Sequence, residues 1–110
     1  MSGSAHTRKR GDTNKPVTIA LSVTSGSLDV SAGVTSITLN VRPASGGTTE
    51  SYAMTASSAL VVTYAPLLTD TFVATADTYL VEVQVTFSNG RIQTFPEMGT
   101  LTIKTTEDLD

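Results

Sequence analysis

The sequence predicts an all-β chain folded as a two-sheet sandwich. Three observations carry this expectation. Apolar residues come in short blocks with a period of two, turn signals separate the blocks, and no segment has the 3.6-residue period of an amphipathic helix. The composition agrees. Twenty threonines and twelve serines stand among 110 residues, and β-branched threonine fits a pleated surface better than a helix.

The elements follow in order. Residues 1–15 are polar and charged with no periodicity, and read as a flexible basic arm. From Pro16 the pattern changes: Val17, Ile19, Leu21 and Val23 alternate with Thr18, Ala20 and Ser22, giving a half-buried strand. Ser25-Gly26-Ser27 turns the chain, and Leu28-Asp29-Val30 is a short extended piece. Ile37, Leu39 and Val41 mark a second clear strand, which Pro43 to Gly47 ends. Glu50 to Met54, with Tyr52 and Met54 on one face, is a third, and Leu60, Val62 and Tyr64 a fourth. Pro66 to Asp77 is less regular, with a helical turn or a short strand around Thr71 to Ala74.

The strongest alternation runs from Tyr79 through Val81, Val83 and Val85 to Phe87. Asn89-Gly90 then supplies the two positive φ angles of a tight hairpin turn. Ile92 to Phe95 returns, Pro96 ends that strand because it has no N–H to give the ladder, and Leu101 and Ile103 form the last strand. Seven to eight short strands of this kind make an Ig-like antiparallel β-sandwich over residues 16–105, followed by an acidic tail at 106–110.

Composition narrows the function. Hydrophobic residues make up 39% and no apolar run approaches a membrane span. The first residues lack the apolar stretch of a secretory signal, so the chain is expected to be made in the cytoplasm. There is no cysteine, which excludes disulfides, thiolate catalysis and thiolate metal sites. The single histidine, His6, falls in the expected arm, where it lacks the fixed geometry a catalytic base needs. No glycine-rich phosphate loop is present. Asp70 and Asp77 flank the irregular loop. They are read as turn caps in preference to cation ligands, because they lack the dense acidic spacing of a calcium loop. No catalytic residue, cofactor or metal is expected.

A binding role is left. The net charge is −3, yet positive residues gather at the start and acidic ones at the end. Arg8, Lys9 and Arg10 are the residues expected to hold a partner, an acidic neighbouring subunit in preference to nucleic acid. Arg10-Gly11-Asp12 spells an integrin-recognition tripeptide, but reads better as a bend leading into the first strand. Tyr79 and Phe87 are expected in the core, and Tyr52, Tyr64, Phe72 and Phe95 are unassigned. A solvent face of threonine and serine carries few charges that would repel copies of itself.

Several fragments, in order, resemble one family. Gly11-Asp12-Thr13 and Leu28-Asp29-Val30-Ser31 precede Ile37-Thr38-Leu39-Asn40-Val41-Arg42. Asp77-Thr78-Tyr79-Leu80-Val81-Glu82-Val83, Phe87-Ser88-Asn89-Gly90-Arg91, Thr94-Phe95-Pro96 and Leu101-Thr102-Ile103 follow. Residues 11–105 thereby resemble the N-terminal domain of phage baseplate upper proteins and related small phage structural proteins. The resemblance implies an Ig-like sandwich in a virion, attached to other phage structural proteins in multiple copies, and no catalytic residues. Such proteins usually continue into a receptor-facing or fibre-bearing part that does not follow Asp110 here, so the likeness bears on fold and virion setting more than on baseplate location. The expected function is a tail or baseplate adaptor or a capsid decoration protein. A carbohydrate- or receptor-binding sandwich is the alternative, and would require an exposed aromatic such as Tyr52 or Tyr64 beside polar loops.

Overall fold

A computed structural model describes residues 4–11, 13, 14, 16–21, 28–96 and 101–107, with side chains from residue 7 onward. Its strands are β1 (Ser4–Lys9), β2 (Val17–Ala20), β3 (Val34–Pro43), β4 (Glu50–Ala53), β5 (Thr55–Ser58), β6 (Val61–Tyr64), β7 (Asp77–Phe87), β8 (Ile92–Phe95) and β9 (Leu101–Thr106). One short helix, α1 (Thr71–Ala74), lies between β6 and β7. The strands form two sheets. The larger has the order β1-β9-β7-β3-β4 with β8 also on β7, and the smaller is β2-β6-β5. This is an all-β sandwich. No helix among the described residues is long and apolar enough to cross a membrane.

Alternation decides which side chains meet between the sheets. On β7, Tyr79, Val81, Val83 and Val85 are buried and face Pro43, Val41, Leu39 and Ile37 of β3 in register. Leu101 and Ile103 extend this inner face, and Val17, Ile19 and Val62 close on it from the smaller sheet. Removing so many large apolar side chains from water is the main favourable term holding the sandwich together. β7 sits at the centre because its other edge is shared. Asp77–Val81 pair with β9, and Val83–Thr86 pair with β8.

Four expectations need correction. The first is the flexible arm: β1 is a strand, paired in parallel with β9 from Ser4↔Leu101 to Lys9↔Thr106. Its sequence lacks an apolar alternation because an arginine, Arg8, takes an inward position, and backbone pairing with β9 supplies what the side chains do not advertise. Second, Leu28-Asp29-Val30 joins no strand, and a turn begins at Val30. Asp29 Oδ1 accepts the Ser31 N–H at 2.9 Å and the chain turns there, with Val30 buried. Third, the stretch after Glu50 is two strands in different sheets. Met54 lies between β4 and β5, and the chain crosses from one sheet to the other there. Tyr52, Met54 and Ala56 all face the core, so the alternation runs through the crossing without a break.

The fourth correction is the β7–β8 turn. Only Gly90 has a positive φ, +88°, and Asn89 does not. Phe87 donates its N–H to Arg91 O at 2.8 Å and Gly90 donates to Phe87 O at 2.9 Å. The connection is therefore a three-residue loop closed by a left-handed glycine. Asn89 contributes through its side chain, with Oδ1 accepting the Arg91 N–H at 3.0 Å. A Cβ on Gly90 would meet nothing within 4 Å. Gly90→Ala is thus expected to cost only the backbone penalty, about 1 kcal/mol in a urea unfolding titration.

Candidate interaction surface

The surface is built on one carboxylate. After β6 the chain turns at Leu67–Asp70 before entering α1. Asp70 is 6% exposed, and its Oδ2 accepts both the Tyr64 O–H and the Leu67 N–H at 2.8 Å. The Asp70 N–H returns to Leu67 O at 3.0 Å, and Asp70 O accepts the N–H groups of Val73 and Ala74 that begin α1. Asp70 thus occupies the N-cap position of α1, but its side chain reaches back into the turn instead of capping the helix. Phe72 and Val73, both fully buried, anchor the far side. With its ends fixed this way, the turn holds Leu67 and Leu68 outward, 59% and 65% exposed.

An aromatic cluster stiffens the base of the turn. The Tyr52 and Tyr64 rings lie 5.0 Å apart, and Tyr52 meets Phe72 edge-on at 5.5 Å. Such offset and edge contacts are the preferred arrangements of aromatic pairs. Tyr52 donates its hydroxyl to Glu50, and Tyr79 donates its own to Thr71 O at 3.0 Å and Thr75 O at 2.6 Å. Burial pushes the phenols of Tyr52, Tyr64 and Tyr79 above their ordinary range, and the nearby carboxylates push the same way. The Tyr52 and Thr71 hydroxyls hold the Glu50 carboxyl below its usual value.

The structure separates the three expected partner-binding cations. Arg8 is 5% exposed and turned into the protein, its guanidinium 5.6 Å from the centre of the Phe72 ring. It supports the core beneath the turn, which corrects its place in an exposed arm. Lys9 is exposed on the opposite side of β1, across from Thr106. Arg10 is exposed but engaged within the chain. Its Nε donates to Ala74 O at 2.8 Å, and Nη1 pairs with Glu107 at 3.1 Å. An exposed pair of this kind is worth under about 1 kcal/mol. Gly11, with φ +81°, makes the expected bend and donates its N–H to Val73 O. Asp12 and the His6 side chain lie outside the described part.

The reading of Asp70 and Asp77 as turn caps holds. Asp77 Oδ1 accepts the Thr78 N–H and Oδ2 the Ser45 hydroxyl, both at 2.7 Å. Tyr52 and Tyr64 are half-buried, pack on each other, and have both hydroxyls taken by carboxylates. Neither presents the free ring that a sugar-stacking site requires. The sequence reading passed over Leu67 and Leu68. Their signal is a pair of adjacent leucines next to Pro66, inside a loop with no apolar period to bury them. Against known proteins, the chain matches no family model and no curated protein.

Proposed function

We propose that this chain is a non-catalytic structural protein of a phage virion that binds neighbouring virion proteins, as a tail or baseplate adaptor or as a capsid decoration protein. The resemblance of residues 11–105 to small phage structural proteins supports the virion setting. The observation that carries the binding role is the Leu67–Leu68 turn. Two leucines side by side in water are a cost that a fold normally avoids, and here hydrogen bonds to Asp70 fix the backbone that displays them. A preformed apolar knob loses little conformational freedom on docking. Burying what remains exposed of both leucines contributes roughly 2–3 kcal/mol.

The test is incorporation into virions. L67S/L68S is expected to leave the unfolding midpoint within experimental error, since both side chains are largely in solvent, and to lower the copy number of the protein in purified particles by tenfold or more. Undiminished incorporation of the double variant would remove the turn from the binding role.

A further inference from the structure

We propose that the outer face of the larger sheet is a docking surface for a second copy of this chain, and that it receives the acidic remainder of that copy's surface. This stands on a different part of the molecule from the leucine turn.

Residues that alternate away from the core on β1, β9, β7, β3 and β4 form one broad face. The smaller sheet and the buried residues of α1 join the core on its other side. The face is dominated by threonine, with Thr38 beside Gln84, Thr102 beside Leu80, and Thr106 beside Lys9. Ser51 Oγ donates to Asn40 Oδ1 at 2.7 Å, and Asn40 Nδ2 reaches Glu82 at 3.4 Å, so a polar row crosses three strands. Branched threonines have few rotamers to lose, and neighbouring strands already hold them in place. Covering such a face therefore sacrifices less side-chain freedom than covering lysine and glutamate.

Its charge points to the occupant. Register places Arg42, Lys104 and Lys9 on a diagonal through the half of the face nearest α1, with Arg42 opposite Leu80, Lys104 opposite Thr78 and Thr7, and Lys9 opposite Thr106. All three are exposed. Among the described residues, Glu82 is the one carboxylate on the face, and it lies beside Asn40. The described residues of the face thus carry +2, while the described residues off it sum to −2, with Arg8, Arg10 and Arg91 against Asp29, Glu50, Asp70, Asp77 and Glu107. Two copies attract when the face of one meets the remainder of another, and repel when face meets face.

The size is also right. Five strands of four to eleven residues, at about 4.8 Å spacing and about 3.3 Å per residue, cover roughly 600 Å², the lower end of what one partner contributes to a stable interface. No stacking aromatic lies among the described residues of the face, which makes nucleic acid the poorer occupant. Contact between unlike surfaces is head-to-tail, so it builds closed rings or open arrays.

Sedimentation velocity on the full chain tests this. At about 20 mM salt the wild type is expected to self-associate with rising concentration, and at about 500 mM to revert to monomer. R42E/K104E is expected to weaken association at least tenfold, and the milder R42Q/K104Q to weaken it less, with circular dichroism reporting that both stay folded. Because the variant keeps its acidic remainder, mixing it with wild type is expected to give a capped mixed dimer. L67S/L68S is expected to associate like wild type, so a failed virion-binding turn and a failed sheet face are told apart. A wild type that stays monomeric at low salt, or association unchanged by R42E/K104E, would overturn the proposal.

Discussion

Phe72→Ala is expected to lower the unfolding free energy by about 3–5 kcal/mol, a large share of the 5–15 kcal/mol typical of a domain. Phe72 is fully buried and joins four parts of the fold. Its ring meets Tyr52 of β4 and Tyr64 of β6, lies under the Arg8 guanidinium of β1, and its carbonyl accepts the Thr105 hydroxyl of β9. Alanine would leave a void lined by two tyrosines and would strip a buried cation of its aromatic partner. Urea titration at neutral pH reads the loss directly. Leu68→Ala is the control, because an exposed side chain should change stability by no more than about 0.5 kcal/mol. A loss below about 1 kcal/mol for Phe72→Ala would mean that the α1 end of the sandwich is not part of its cooperative core.

Alkaline pH should unfold the protein steeply. The chain has three tyrosines, Tyr52, Tyr64 and Tyr79, and all three phenols are raised, chiefly by burial. An unfolded tyrosine releases its proton near pH 10, while the folded one keeps it. The stabilising contribution is therefore complete below about pH 10 and is lost as pH climbs toward the folded values. Each tyrosine that stays protonated lowers the unfolding free energy by up to about 1.4 kcal/mol per pH unit above that point. Tyrosinate absorbance is expected to lag past pH 10 and then rise in one step together with loss of the circular dichroism signal. Three independent ionisations near pH 10 in the folded protein would contradict the cluster. Glu50 acts at the other extreme. Its carboxyl is lowered, so its contribution is present above the ordinary carboxylate range and is lost as pH falls through the folded value.

How legible each part was in the sequence follows from what its side chains had to do. β7 could be read almost residue by residue, because its inner positions alternate and all of them pack in the core. β1 could not, because Arg8 occupies an inward position and satisfies it by lying over Phe72, a contact 64 residues away in the chain. The crossing at Met54 was hidden because alternation reports burial and not which sheet a residue belongs to. Asn89-Gly90 marked the hairpin correctly but not its turn type, since glycine at a positive φ serves both two- and three-residue loops. The site was less legible than the fold. Charge density at the N-terminus does not say which side of a strand each cation takes, so Arg8, Lys9 and Arg10 read as one patch when they face three different surroundings. Leu67 and Leu68 looked like ordinary loop residues until the two hydrogen bonds to Asp70 fixed their direction.

Cryo-electron microscopy of purified virions tests the central claim most directly. The predicted result is density for this sandwich in multiple copies, in a ring at the tail or spread over the shell, with the Leu67–Leu68 turn seated against a neighbouring virion protein. Particles that lack the protein altogether would contradict the account.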